Sequence, residues 1–186
     1  MNGIDLIFIL KKMNLKSLDL QYNKITDFSP LQTHYNLHSL NLAYNGAKNV
    51  KDFINCSELQ NLVLNMNQIN DCSGLEQLIN LQILNLGYNQ FKNIYPIQNL
   101  VNLTWLDLQC NRFEDFSPLA QLVKLETLFQ VEAHECIQFI LQIYLQGVQF
   151  ILIKIYFHFS YPYGCFYSIA KLAISASQQN QLILKH

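Results

Sequence analysis

Charge is scarce in this chain, and neither sign is in excess. Only 13% of the 186 residues are charged, with Lys+Arg at 12 against Asp+Glu at 13. Such a balance leaves no cationic surplus to neutralise phosphates, which argues against a nucleic-acid binder. The five cysteines, Cys56, Cys72, Cys110, Cys136 and Cys165, are an odd number and form no C-x-x-C pair. That favours a reducing, cytoplasmic compartment over a disulfide scaffold. No G-x-x-x-x-G-K-[ST] phosphate loop, H-E-x-x-H zinc helix or G-x-S-x-G nucleophile turn occurs. His134, Glu135 and Cys136 are adjacent, a spacing that does not suit one zinc ion. Carboxylates are scattered without a pair at a recurring place. The chain is therefore expected to be no enzyme, with no catalytic residue, metal ligand, cofactor or small-molecule substrate. A basic start is also missing: Asp5 breaks the first apolar run and Lys11 and Lys12 follow it, unlike a signal peptide.

Asparagine is abundant, and its placing is regular. Asn23, Asn45, Asn67, Asn89 and Asn111 stand 22 residues apart, each closing the phrase L-x-x-L-x-L-x-x-N. A fixed period of this size marks a stacked solenoid. The second and third leucines of each phrase, such as Leu18 and Leu20, are separated by one residue. That is strand alternation, so each copy predicts one short strand, paired in parallel with the next. The asparagines fall where the chain must bend inward, and an amide carries the donors and the acceptor that buried backbone needs there. Three more columns are apolar: Ile25, Ala47, Ile69, Phe91, Phe113; then Phe28, Val50, Cys72, Ile94, Phe116; then Leu31, Phe53, Leu75, Ile97, Leu119. The Ser29-Pro30 and Ser117-Pro118 pairs predict Ser-capped helical turns on the outer side. Cys56 and Cys72 read as small core residues, and His34 as a partly wet edge residue.

The stretch Asn23-Lys24-Ile25-Thr26-Asp27-Phe28-Ser29-Pro30-Leu31 and its copy from Asn111 to Leu119 resemble the leucine-rich repeat family. They are similar to its 22-residue class, typified by a regulatory subunit of type-1 protein phosphatase and by bacterial internalins. The resemblance covers about residues 13–129. It implies an α/β right-handed solenoid, with short parallel strands on a concave face and helical or 3-10 turns on the convex face. It also implies a scaffold or regulatory subunit rather than a catalyst, and it leaves the partner open, because a fold does not name a function.

Alternation places four columns on the concave side. These are Ser17, Ser39, Asn61, Ile83, Trp105; Asp19, Asn41, Val63, Asn85, Asp107; Gln21, Ala43, Asn65, Gly87, Gln109; and Tyr22, Tyr44, Met66, Tyr88, Cys110. Aromatic residues and methionine in a row are the usual chemistry of a protein-binding surface. The candidate partner-binding residues are Asp19, Tyr22, Asn41, Tyr44, Met66, Asn85, Tyr88, Trp105 and Asp107. Asp19 and Asp107 read either as anchors for a basic partner or as solvated strand ends.

The pattern fails in the sixth copy, where Gln130 replaces the third leucine and Ala133 the asparagine. The expected domains are a solenoid over residues 1–130 and an atypical hydrophobic tail over residues 131–186. Asn2-Gly3-Ile4 echoes Asn23-Lys24-Ile25 as the remnant of an earlier repeat. Three readings of the tail stay open: an amphipathic capping helix over 131–146, a membrane span over 139–159, and translated non-coding sequence. Two alternatives to a cytosolic scaffold follow. One is a membrane-anchored or receptor-like repeat protein. The other is a fragment of a larger protein whose catalytic domain is absent here.

Overall fold

The computed structural model describes residues 14–113, 115–130, 152–158, 167–173 and 183–185. Residues 14–130 climb in a series of coils. Each coil contributes one short strand: β1 Ser17–Asp19, β2 Ser39–Asn41, β3 Asn61–Val63, β4 Ile83–Asn85, β5 Trp105–Asp107 and β6 Thr127–Gln130. Neighbouring strands pair in parallel with the register set by the sequence period, Ser17 against Ser39, Ser39 against Asn61, and so on to Trp105 against Thr127. The ladder runs past the strand ends, as in Leu20 N–H to Asn41 O at 2.8 Å and Tyr22 N–H to Ala43 O at 3.0 Å. The sheet continues across the boundary expected at residue 130. Strand β7, Leu152–His158, pairs in parallel with β6, and β8, Tyr167–Ala173, and β9, Ile183–Lys185, follow as antiparallel neighbours.

The core is the stack of inward columns. From Leu37 to Leu128 every phrase leucine is buried, together with Phe53, Ile69, Phe91 and Ile94. Cys56 and Cys72 are buried within it, and burial pushes both thiols up to about 12. His34 is a correction: it is buried rather than partly wet, with its Nδ1 3.1 Å from Pro30 O. At the start of the array Leu15, Leu18, Leu20 and Ile25 are only half-buried, because no coil among the described residues covers them.

The convex side carries 3-10 turns at Ser29–Thr33, Leu75–Gln77, Tyr95–Ile97 and Ser117–Gln121. The expected serine cap is corrected too. Ser29 and Ser117 lie inside their turns, the caps are Phe28 and Phe116, and neither turn has a side-chain cap bond. The side chain that organises the bend stands outside the turn, two residues before it at Ser29, Tyr95 and Ser117 and four before it at Leu75. Asp27, Asn49, Asp71, Asn93 and Asp115 each accept through Oδ1 from the backbone N–H two residues on, at 2.8–2.9 Å. These are Asx turns. In the third coil Gly74 is the cap at φ 107°, a left-handed geometry open to glycine, and a Cβ there would meet Ile54 Cγ2 at 2.8 Å.

The Asx turns give a pH prediction. The Ser29 and Ser117 backbone N–H groups hold the Asp27 and Asp115 carboxyls below the usual carboxylate range, and the Ser73 hydroxyl does so for Asp71. A depressed folded-state pKa adds stability that is present above the unfolded pKa and lost as pH falls through the folded one. Asn49 and Asn93 make the same bond without a charge. The triple change Asp27→Asn, Asp71→Asn, Asp115→Asn should therefore lower the neutral-pH melt slightly, because it removes the charged form of three bonds at solvent-exposed sites. It should flatten the fall in melting temperature below about pH 4. Parallel thermal melts across the acid range check this.

Candidate binding surface

The outward face of the sheet and the bend that follows it are built by the same short segment of each coil. The strand ends at Asp19, Asn41, Asn85 or Asp107, whose Oδ1 accepts from the N–H two residues later: Gln21, Ala43, Gly87 and Gln109, at 3.0–3.1 Å. Val63 interrupts this second series of Asx turns. The next residue takes the left-handed conformation in the first five coils. Tyr22, Tyr44, Met66, Tyr88 and Cys110 have φ between 52° and 58°. A side chain there costs roughly 1 kcal/mol or more relative to an ordinary conformation. The asparagine that follows holds the bend closed.

Each inner asparagine bridges two coils. Asn67 Nδ2 donates to Leu42 O of the coil before at 2.9 Å and to Leu64 O of its own at 3.0 Å, while its Oδ1 accepts from Ala47 N–H at 2.9 Å. Asn45, Asn89 and Asn111 repeat the arrangement. Asn23, in the first described coil, bonds among the described residues to its own coil, to Leu20 O and Gln21 O.

The candidate residues divide into three groups. Tyr22 and Tyr44 are brought together as a stacked pair with ring centroids 4.4 Å apart. They are 68% and 40% exposed, whereas Met66 and Tyr88 of the same column are half-buried. Asp19 and Asn41 are joined, Asn41 Nδ2 donating to Asp19 Oδ2 at 3.1 Å. Asn85 and Asp107 face each other across β4 and β5, over Gly87, where a Cβ would stand 3.1 Å from Asp107 Oδ1. Asp107 is only 9% exposed, so its carboxylate serves the bend, whereas Asp19 is open to solvent. Trp105 lies apart from the tyrosines and packs against Phe129 at 5.2 Å.

Sequence reasoning missed Phe129 and the left-handed bend. A signal for the bend was present: none of Tyr22, Tyr44, Met66, Tyr88 and Cys110 is β-branched, the side-chain class that this conformation excludes. Of the segment raised as a membrane span, residues 152–158 are strand β7, and residues 139–151 and 159 lie outside the described residues. Among the described residues no helix is long and apolar enough to cross a membrane. The capping helix expected over 131–146, the cluster at His134–Cys136, Ala133 and the remnant repeat at residues 2–4 also lie outside them.

Known proteins fit this geometry. A family model of two leucine-rich repeat copies matches residues 14–55, and a single leucine-rich repeat matches residues 102–122. Internalin C2 of Listeria monocytogenes is 38% identical with a TM-score of 0.65, over 66% of this chain and 55% of its own. An internalin F of the same organism is 31% identical with a TM-score of 0.65, over 69% of this chain and 39% of its own. A leucine-rich repeat protein of Leptospira interrogans, at 24% identity and a TM-score of 0.65 over 74% of this chain and 37% of its own, shares the fold. This chain thus spans little more than half of internalin C2 and less of the others. No curated protein matches. With the period, the parallel one-strand-per-coil sheet, the asparagine ladder and these matches together, the chain is a leucine-rich repeat protein.

Proposed function

We propose that this chain is a non-catalytic, cytoplasmic scaffold or regulatory subunit that binds a protein partner. The docking surface is the concave face, and the tyrosines at its rim are the anchor. The leucine-rich repeat supports a protein-interaction role in general, and the fold is generally non-enzymatic. The observation that carries the finer reading is the exposed, stacked Tyr22–Tyr44 pair on a backbone held by Asx turns and the asparagine ladder. Rigid aromatic rings on a preorganised backbone lose little freedom on binding, which makes them efficient anchors. Asp19 and Asn41 beside them offer a carboxylate and an amide for a basic or polar segment of the partner. Trp105 with Phe129 forms a second apolar station on β5 and β6.

Glycine separates binding from folding here, because it adopts φ 57° and 54° freely. The double change Tyr22→Gly, Tyr44→Gly should reduce partner affinity by at least about tenfold, the scale of losing an aromatic hot spot. The melting temperature should stay near that of the parent chain, since relief of backbone strain offsets the lost ring stacking. Affinity capture on the immobilised chain, quantified beside the variant, decides the matter. Equal capture by both chains would remove the tyrosine ridge from the binding surface.

A further inference from the structure

Asn45 is the one ladder asparagine followed by glycine; its counterparts precede Lys24, Gln68, Gln90 and Arg112. An Asn-Gly pair is chemically labile, because no side chain hinders the glycine nitrogen from reaching the amide carbon. Once the Gly46 N–H has given its proton to solvent base, its nitrogen bonds to Asn45 Cγ and the Cγ–Nδ2 bond breaks. The nitrogen leaves as ammonia, and a cyclic imide remains. Water then opens the imide at one of its two carbonyls, giving aspartate or isoaspartate. No oxidant or reductant is needed.

In the folded coil both reacting groups are held. Asn45 Nδ2 donates to Leu20 O, Leu42 O and Ala43 O at 2.9–3.2 Å, and Oδ1 accepts from Ile25 N–H at 3.1 Å. Gly46 N–H donates to Ile25 O at 2.9 Å. Leu20 and Ile25, which supply three of these partners, belong to the first coil. That coil is the least buried of the array: Leu15, Leu18, Leu20 and Ile25 are half-exposed where Leu37, Leu40, Leu42 and Ala47 are buried. In a solenoid each coil leans only on its neighbours, so the coil with the least buried core opens first. Packing also explains the glycine. A Cβ at residue 46 would stand 2.7 Å from Thr26 Cγ2 of the first coil.

We infer that Asn45-Gly46 is a deamidation site gated by the docking of the first coil on the second. Detachment of residues 15–36 removes Leu20 O, Ile25 N–H and Ile25 O together; it frees the Gly46 N–H and Asn45 Oδ1 and leaves Asn45 Nδ2 only the Leu42 O and Ala43 O of its own coil. The product makes the opening permanent. A carboxylate at residue 45 has no amide hydrogens for the three carbonyls that Asn45 served, and isoaspartate also lengthens the backbone at the bend. A transient fraying event thereby becomes an irreversible loss of the first coil, and with it of Tyr22.

Peptide mapping by mass spectrometry tests this on the full chain incubated at mildly alkaline pH. Conversion at Asn45 should be at least about tenfold slower in the folded chain than in the same chain unfolded by urea, equivalent to an opening free energy of ~1.4 kcal/mol or more. Leu18→Ala, which loosens only the first coil, should move the rate toward the urea value and speed deuterium exchange at the Gly46 N–H in step. If that variant does not fold, urea below the unfolding midpoint should raise both rates of the parent chain together. Equal rates in the folded and unfolded chain overturn the proposal. So does a Gly46 exchange rate that rises, in the variant or in low urea, without faster conversion at Asn45.

Discussion

Replacing Asn89 by alanine is expected to destabilise the array by roughly 3 kcal/mol, while the same change at Asn23 costs less than about 1 kcal/mol. The difference follows from the partners. Asn89 Oδ1 accepts from the Ile69 N–H, and its Nδ2 lies within 3.0–3.2 Å of Leu64 O, Leu86 O and Gly87 O. Two amide hydrogens cannot fully serve three carbonyls, so part of this is shared bonding. The carbonyls keep other donors after truncation: Leu64 O keeps Asn67 Nδ2, Leu86 O keeps Asn111 Nδ2, and Gly87 O keeps the Met66 N–H. The Ile69 N–H loses the acceptor that Asn89 supplies. An orphaned buried N–H costs about 1–3 kcal/mol, and the lost share of the carbonyl bonds adds to it. Asn23 is exposed and, among the described residues, bonds only to its own coil. Urea unfolding of the two variants checks the ranking. Equal losses would mean that the ladder acts within each coil and not between coils.

Phe91→Ala should cost about 3–5 kcal/mol, enough to consume much of the 5–15 kcal/mol by which small domains are stable. Phe91 is fully buried, in the column that includes Ile69 and Phe113 in the adjacent coils. Its ring fills space between coils that the backbone ladder holds apart, so the cavity left by alanine collapses poorly. Ile25 occupies the same column in the first described coil and is half-buried. Ile25→Ala should fall below the 2–5 kcal/mol range that full burial commands. Calorimetry on both variants measures the gradient from end to centre, which a quasi-one-dimensional stack requires.

Much of this was legible in the chain itself. A strict period allows each column to be read as one environment repeated, so the phrase leucines, the outer apolar columns and the ladder asparagines could be placed before any coordinates. The Asx turns at Asp27, Asn49, Asp71, Asn93 and Asp115 were equally periodic, yet the neighbouring Ser-Pro pairs drew the capping reading. Ser-Pro is a helix-start signal in general, but a 3-10 turn this short is organised from outside itself. His34 differed for a related reason: its ring edge finds Pro30 O one turn back, a contact that makes burial tolerable and that residue type alone does not reveal.

The candidate surface was legible as a set of columns and not as a set of contacts. Alternation named Tyr22, Tyr44, Met66 and Tyr88 together, but only the first two present exposed rings. Asp19 and Asp107 were alike in sequence and differ in surroundings. One is solvated beside Asn41, and the other is buried over Gly87.

The sequence by itself determined the period, the strand register, the inward columns and the amide at each bend, because each is fixed by which residue recurs at a given place in the coil. The tertiary structure alone decided which tyrosines are free, which carboxylate is spent, how strongly each asparagine is held and where the array is weakest. Those properties belong to pairs of coils. They depend on what the neighbour brings within about 5 Å, the spacing of adjacent strands, and on whether a neighbour covers the coil at all.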